Sequence, residues 1–92
     1  MIEVIVSKRA QKDVSGIKIF TIEQWGEIKS SMTGRELKRA FHFLSEFPDC
    51  GQRVERKNVF ARVVPRLPFV ILYRRNPSTV TILRVIHNKQ KR

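Results

Sequence analysis

The sequence predicts an α+β domain with the element order β-α-α-β-β-β, in which an N-terminal helical hairpin packs on a small, mostly antiparallel sheet. Two observations carry this prediction. The N-terminal half contains two apolar stripes with helical spacing, and the C-terminal half contains three β-rich segments between turn signals. A chain of 92 residues is too short for two cores of ordinary size, so we expect one domain that spans residues 1–92.

The first strand and the first helix are predicted by the N-terminal pattern. Residues 2–6 alternate and are rich in β-branched side chains, which is typical of a strand, and Ser7 follows where a helix N-cap is expected. Gly26 is expected to end the first helix or to kink the chain before the second. One face of the first helix is formed by Ala10, Val14, Ile17, Thr21, Trp25 and Ile28.

The second helix and the remaining strands are predicted by a second stripe and by turn residues. Pro48 ends the helix and residues 48–51 form a turn, so the two helices are expected to form a hairpin. Strands are expected over residues 58–64, 69–73 and 79–87. The second helical stripe consists of Thr33, Leu37, Ala40, Phe41 and Leu44.

Two finer expectations concern the last two strands. The run at 69–73 is continuously apolar, which is typical of a strand covered on both faces. Residues 79–87 alternate in polarity. Simple alternation places on one face Val80, Ile82, Arg84 and Ile86.

Charge is distributed unevenly along the chain. The sequence holds 19 Lys and Arg against 8 Asp and Glu, a formal net charge of +11. Residues 1–46 contain 8 basic and 6 acidic side chains, whereas residues 47–92 contain 11 and 2, and no acidic residue follows Glu55. A one-sided positive field of this size indicates an anionic partner, which is nucleic acid, an acidic protein or, less readily, a membrane surface.

Composition excludes several classes of protein. The one cysteine, Cys50, cannot form an intramolecular disulfide, and with two histidines the chain cannot build a thiolate zinc cluster. No apolar run reaches the roughly 18 residues of a membrane span, and the N-terminus lacks the features of a signal peptide. We therefore expect a cytoplasmic chain without a metal or cofactor.

Five segments spread along the chain carry a family resemblance. They are SKRAQKD at 7–13, TIEQWGE at 21–27, LSEFPDCG at 44–51, VVPRLPFVILYR at 63–74 and VTILRVIH at 80–87. In this order and spacing they resemble the RelE/ParE superfamily of type II toxin–antitoxin toxins, and more specifically its ParE branch. The resemblance implies the same fold and a growth-inhibiting toxin of a plasmid stabilisation (addiction) module. It also implies a cognate acidic antitoxin that wraps the surface of the toxin.

The superfamily contains two activities. ParE-like members inhibit DNA gyrase and are not known as nucleases, whereas RelE-like members cut messenger RNA on the ribosome. The sequence departs from the RelE-like pattern at Val70, where those strands place an arginine, and it ends at Arg92, before the position of their C-terminal tyrosine. Only Lys89 aligns with a cation of their tail. These departures favour gyrase as the target.

A ribosome-dependent endoribonuclease is the alternative, and a non-toxic basic binding module is a third interpretation. Metal-free RNA cleavage needs a base for the 2′-hydroxyl, cations for the phosphorane and an acid for the leaving oxygen. His87 is the one candidate of a residue type that exchanges protons near neutral pH, although a structural strand-end histidine is the simpler explanation. The cations that would serve it are Arg62, Arg84 and Lys89.

Two surfaces are expected to bind partners. The helical hairpin would contact the antitoxin through Ile17, Phe20 and Trp25, for which packing within the domain is the alternative. The basic residues of the C-terminal half would attract the antitoxin or the target, and a merely solvated face is the alternative. Aromatic residues do not interleave them as stacking platforms would require, and Phe69 and Tyr73 belong to an apolar core strand, so stacking of single-stranded nucleic acid is not predicted. This basic face consists of Arg56, Arg62, Arg66, Arg74, Arg84 and Lys89.

Overall fold

One long helical segment and five strands make up the part of the chain that the structure, a computed structural model, describes. These are residues 1–88, so the role predicted for Lys89 lies outside the described residues. Within them, no helix is long and apolar enough to cross a membrane. The elements are β1 (Glu3–Val6), α1 (Lys8–Glu46), β2 (Gln52–Arg53), β3 (Val59–Val63), β4 (Phe69–Arg75) and β5 (Thr79–His87).

The strands form one sheet in the order β1-β5-β4-β3-β2. β1 runs parallel to β5, and the other neighbouring pairs are antiparallel. The predicted α+β class, with helices on a mostly antiparallel sheet, is confirmed. The prediction omits β2, because the two residues of this strand are polar and show no apolar alternation. The pairing of Arg53 with Phe60 places β2 beside β3.

α1 is folded into a hairpin at Gly26. The φ of 88° and ψ of 173° at this residue lie in a region that glycine alone adopts readily. They separate a first arm, residues 8–25, from a second arm, residues 27–46. The arms fold back on each other, since the buried Thr21 hydroxyl donates to Ser30 Oγ at 2.9 Å. The predicted break at Gly26 is confirmed.

The hairpin packs on one face of the sheet. In β4, Phe69, Ile71 and Tyr73 are buried on the hairpin side, whereas Val70 and Leu72 are half-buried on the opposite side. The expectation that β4 is covered on both faces is therefore wrong for residues 1–88, because both arms lie on the same side of the sheet. The buried core consists of Ala10, Leu37, Ala40, Leu44, Val64, Phe69, Ile71, Tyr73, Val80, Ile82 and Val85.

A β-bulge in β5 changes which of its side chains enter the core. The residue opposite Tyr73 is Ile82. The residue opposite the preceding Leu72 is Arg84, so Leu83 is additional in β5. Simple alternation is therefore wrong beyond Ile82, and Arg84 does not share a face with the core residues. The buried residues of β5 are Val80, Ile82 and Val85.

The carboxylate of Asp13, in the first arm, holds the bulged part of β5. Asp13 Oδ2 accepts hydrogen bonds from Arg84 Nε at 2.8 Å and from the Val85 N–H at 2.9 Å. Oδ1 accepts a second bond from Arg84, from Nη2 at 3.3 Å. Because β1 ends at Val6, opposite Ile82, Asp13 satisfies an edge N–H that β1 does not reach.

These contacts determine the charge state of Asp13. Burial raises the pKa of its carboxyl, but the hydrogen bonds from Arg84 and Val85 and the nearby positive charges outweigh this effect. The net pKa lies below the ordinary aspartate value. Asp13 is therefore charged at neutral pH, and its ion pair joins the first arm to β5.

Ser7 strengthens the same junction. Its side chain accepts the Ala10 N–H at 3.0 Å, which confirms the predicted N-cap of α1. Its hydroxyl also donates to the Leu83 carbonyl at 3.2 Å, and its N–H donates to the Ile82 carbonyl at 3.1 Å. The start of the first arm is thus bound to the bulge through both side chain and backbone.

Tyr73 anchors the turn that follows the second arm. Its side chain is fully buried, and its hydroxyl donates to the Pro48 carbonyl and accepts the Gly51 N–H, each at 2.9 Å. Burial is the main cause that raises the pKa of Tyr73 to about 12, so the phenol keeps its proton at neutral pH. A Cβ added to Gly51 would lie 2.6 Å from the phenol oxygen, so glycine is required here.

Gly51→Ala is expected to lower the free energy of unfolding by about 1–3 kcal/mol, because the Tyr73 hydroxyl or the turn must move and lose hydrogen bonds. The control is Gly16→Ala, an exposed helical position where no atom lies within 4 Å of the new Cβ. It should be neutral or stabilise by about 0.5–1 kcal/mol. Urea unfolding followed by circular dichroism measures both variants. Equal stability of the two would contradict the close contact at Tyr73.

Asp13→Asn should make the protein less stable at neutral pH and less sensitive to acid. Because the pKa of Asp13 is lowered on folding, its carboxylate stabilises the fold above the ordinary pKa of about 4. This contribution is lost as the pH falls through the lowered value. We expect a deficit of about 1–3 kcal/mol at neutral pH that shrinks in acid.

Thermal unfolding across a pH series measures this difference. Glu23→Gln, which changes an exposed carboxylate on the same arm, is the control and should follow the wild-type profile. If Asp13→Asn also followed that profile, the ion pair would not have the structural role assigned to it.

Candidate functional site

The structure does not bring the predicted nuclease residues together. Arg62 lies on β3 and Arg84 and His87 lie on β5, with β4 between them. Two strand spacings separate their backbones by about 10 Å. Lys89, the fourth member of the set, lies outside the described residues. The three described members, Arg62, Arg84 and His87, are not placed around one point.

Both arginines of this set are held by neighbouring side chains. The guanidinium of Arg84 is bound by both oxygens of Asp13, whose side chain is only 12% exposed. The guanidinium carbon of Arg62 lies 4.5 Å from the centroid of the Phe43 ring, on the hairpin side of the sheet. The Arg84 guanidinium cannot follow a phosphate without giving up its ion pair with Asp13.

His87 lies at the end of β5 beside the first arm. It is exposed, and its ring meets the Phe69 ring edge-on at a centroid distance of 5.6 Å. It borders a shallow cavity of about 320 Å³ that is also lined by Lys12, Asp13 and Phe20. Among residues 1–88, the side chains of this cavity that could bind an anion are His87 and Lys12, because Asp13 is engaged by Arg84.

The predicted basic face is divided among several sides of the molecule. Arg74 is half-buried on the side of the sheet away from the hairpin, opposite Val59. Arg66 is exposed and forms an ion pair with Glu36 at 3.5 Å. Arg56 lies in the exposed loop before β3. Arg62 and Arg84 lie on other parts of the sheet. The arginines of residues 1–88 therefore do not form one continuous surface.

The side of the sheet away from the hairpin is largely apolar. We call this the open face; its apolar members include Val63, Val70, Leu72 and Ile86. Val63 is 56% exposed and the other three are half-buried. Val70, which stands where RelE-like strands place an arginine, therefore lies on an apolar surface. Arg74 is the cation that β4 adds to this face.

The end of the hairpin around Gly26 exposes a second apolar surface. Trp25 is 48% exposed, and its ring meets the Phe20 ring edge-on at 5.8 Å. Packing of Trp25 in the core is therefore wrong. Ile17 differs from these two residues, since it is half-buried against the core. We call this surface the hairpin tip; its exposed members are Ile19, Phe20, Ile22, Trp25, Ile28 and Met32.

An open groove of about 960 Å³ runs between the two arms toward the hairpin tip. Its floor includes the apolar side chains of Val14, Ile17 and Leu37. Basic side chains on its rim outnumber the one acidic side chain, Glu27. The rim cations are Lys18, Arg35 and Lys38. An apolar floor with a basic rim matches an amphipathic segment that carries acidic residues.

Contacts between arginines and aromatic rings are a feature of the site that the sequence does not predict. Arg53 lies over the Phe60 ring at 5.9 Å, and Arg62 lies over Phe43. The ring of Phe43 comes from α1, far from Arg62 in the sequence, so a search for interleaved aromatics cannot find the pair. The one local signal is the spacing of Phe60 and Arg62, which share a side of β3.

Comparison with known proteins identifies the family of this fold and site. The family model described as ParE toxin of type II toxin–antitoxin system, parDE, matches residues 4–92. Among curated proteins, none matches the chain.

Two solved structures have the same fold. A chain from the chromosomal ParDE toxin–antitoxin system of P. aeruginosa is similar with a TM-score of 0.86 and 19% identity, over 97% of this chain and 98% of that one. A chain from the toxin–antitoxin complex RelBE2 of Mycobacterium tuberculosis is similar with a TM-score of 0.65 and 24% identity, over 94% and 96%.

The family match spans nearly the whole sequence, and both structural relatives share the hairpin on a mostly antiparallel sheet. The resemblance inferred from the five sequence segments is thereby confirmed. The chain belongs to the ParE toxin family of type II toxin–antitoxin systems, within the RelE/ParE superfamily.

Proposed function

We propose that this toxin inhibits growth by acting against DNA gyrase and that a cognate antitoxin holds it inactive. The observation that carries the choice of target is the placement of the candidate nuclease residues. Arg62 and Arg84 are engaged by Phe43 and Asp13 on either side of β4, and the open face at Val70 is apolar. The protein would act in the cytoplasm, where gyrase works, and a plasmid carrying the pair would be stabilised.

The nuclease alternative requires more than these positions provide. A general base, a general acid and cations must all lie within hydrogen-bond reach of one phosphodiester. His87 is exposed beside Lys12, and this observation is what favours the alternative. Arg84 would have to release Asp13, which would leave a carboxylate with 12% exposure without its charge partner. Cleavage by these residues would therefore cost part of the fold.

The antitoxin is proposed to bind along the groove between the arms and over the hairpin tip. Phe20 and Trp25 supply exposed aromatic area, and Ile17 lies at the floor of the groove. The basic rim would attract the acidic side chains of an amphipathic helix. The titles of the two structural relatives describe toxin–antitoxin assemblies, which supports a partner of this kind here. Cations such as Arg56 and Arg74 would add to long-range attraction.

His87→Gln should retain growth inhibition when it is expressed without an antitoxin, because His87 has no catalytic role under this proposal. Plasmid DNA recovered from the inhibited cells should lose negative supercoiling for both wild type and variant, as measured on chloroquine gels. The melting temperature of the purified variant controls for folding. A folded His87→Gln protein without toxicity, together with cleaved messenger RNA in wild-type cells, would establish the nuclease alternative instead.

Trp25→Ala should weaken antitoxin binding by roughly 10-fold to 100-fold, since buried tryptophans at interfaces commonly contribute 1–3 kcal/mol or more. Isothermal titration calorimetry with the cognate antitoxin measures the loss. Val63→Ala removes a similarly exposed apolar side chain from the open face and should bind normally. Equal affinities for the two variants would show that the antitoxin does not use the hairpin tip.

A further inference from the structure

Arginines and phenylalanines alternate along the side of the molecule where the second arm meets β3. Arg53 of β2 lies opposite Phe60, with its guanidinium carbon 5.9 Å from the ring centroid. Arg62, the next hairpin-side residue of β3, lies 4.5 Å from the Phe43 centroid. Phe43 contacts Phe47 at a centroid distance of 4.7 Å. We call these five residues, Phe43, Phe47, Arg53, Phe60 and Arg62, the Arg–Phe strip.

The rings of this strip differ in exposure. Phe47 is 52% exposed at the end of the second arm, where its ring contacts Phe43. Phe43 and Phe60 are half-buried. Phe60 is supported from beneath by the buried Tyr73, whose ring is nearly parallel to it at 5.6 Å. Phe43 and Phe60 are already covered in part by Arg62 and Arg53, so Phe47 is the ring of the strip that a flat ligand can cover.

The charges of the strip are also available. No carboxylate among residues 1–88 forms an ion pair with Arg53 or Arg62. Arg62 Nε is buried and has no hydrogen-bond partner within those residues. The charges of both guanidinia are therefore not compensated by a carboxylate among residues 1–88.

The acidic residues close to the Arg–Phe strip in the sequence do not neutralise the positive charge of Arg53 and Arg62. Glu36 is shared by Arg39 and Arg66, each at 3.5 Å, so that cluster keeps a positive charge. Glu46 lies 3.6 Å from His42 on the second arm. The loop between β2 and β3 carries Glu55 against Arg56 and Lys57. Asp49, in the turn before β2, accepts a hydrogen bond from Arg75 at 3.0 Å. The surroundings of the strip are therefore positive overall.

We propose that the Arg–Phe strip binds single-stranded nucleic acid. A base would stack on Phe47, and phosphates would bind Arg53 and Arg62. An acidic peptide would need the cations alone, and the accessible ring of Phe47 is what favours a base. The rings of Phe43 and Phe47 come from the second arm, so the sequence of the C-terminal half alone does not indicate this surface.

This inference goes beyond the proposed action on gyrase. The strip is formed by the second arm, β2 and β3, whereas the antitoxin surface is assigned to the groove and the hairpin tip. No residue is shared between the two surfaces. Binding at the strip involves no bond cleavage, and it does not depend on which enzyme or ribosome the toxin attacks.

Fluorescence anisotropy with a labelled twelve-nucleotide oligothymidylate tests the site on the whole protein. Phe47→Ala should weaken binding by about fivefold or more, and Phe47→Tyr, which keeps a flat ring, should bind as wild type does. The matched control is Ile28→Ala, which removes an 80% exposed apolar side chain from the hairpin tip and should leave the affinity unchanged. Melting temperatures confirm that each variant is folded.

The salt dependence of the same measurement tests the cations. Arg53→Ala should weaken binding and lower the slope of log affinity against log salt by about 0.7, the value for one phosphate contact on a single strand. Arg35→Ala removes an exposed arginine from the second arm and is the matched control. A smaller loss for Arg35→Ala than for Arg53→Ala is expected.

Three results would overturn the inference. The first is the absence of oligothymidylate binding by the wild type at low salt. The second is an equal effect of the strip variants and their controls, which would indicate attraction by net charge alone. The third is a polyglutamate peptide that binds as tightly as the oligonucleotide with the same dependence on Phe47, which would make the strip a surface for acidic protein. If the wild-type protein did not inhibit gyrase, the proposed function would fail, but these three outcomes would still test the strip independently.

Discussion

The carboxylate of Asp13 determines how the last strand meets the helical hairpin. β1 covers the edge of β5 only as far as Ile82, and beyond that point Asp13 takes over by accepting the Val85 N–H. The ion pair with Arg84 keeps this carboxylate charged although its side chain is 12% exposed. The bulge at Leu83 lies between these two regions of the edge. Through it, Val85 enters the core and His87 comes to lie beside the first arm.

The ion pair between Asp13 and Arg84 is one of several contacts that engage arginines within the fold. Other arginines have no such partner and are available to bind another molecule. The net charge of +11 suggests one broad basic surface, but the arginines of the fold have different surroundings. Arg84 is committed to Asp13, Arg75 donates to Asp49 at 3.0 Å, and Arg66 faces Glu36. Arg53 and Arg62 lie over rings instead of carboxylates. The basic surfaces that are available to a partner are therefore smaller than the net charge implies.

The apolar surfaces complement this division. The hairpin buries one side of the sheet and leaves the open face and the hairpin tip exposed. Six large apolar side chains are exposed on the parts of the two arms next to Gly26, and apolar surface of this kind commonly marks a site that a partner covers. This agrees with a toxin that is stored as a complex.

The elements of this fold are largely predictable from local sequence because each depends on local signals. The N-cap at Ser7, the break at Gly26 and the turn after Pro48 are of this kind. The bulge at Leu83 is not predictable from local signals, because the carboxylate that binds beside it, Asp13, is distant in the sequence. Simple alternation therefore fails there. β2 is missed because pairing with β3, and not its own two residues, makes it a strand.

The candidate sites are less predictable for the same reason. Residue type singles out His87 and the arginines, but whether a guanidinium is engaged depends on its tertiary partner. Asp13 and Phe43, the partners of Arg84 and Arg62, both come from α1, and nothing in the local sequence of the strands indicates them. Exposure of Trp25 is likewise a property of the hairpin turn, because a helical stripe alone predicts a buried side chain.

We propose that the toxin acts on gyrase without cutting RNA. One reaction tests it most directly: the purified protein is added to gyrase, relaxed plasmid, ATP and ribosomes translating a labelled message. We predict that supercoiling falls in proportion to the toxin added while the message stays intact, and that the antitoxin restores supercoiling. Cleavage of the message with supercoiling unaffected would contradict the account.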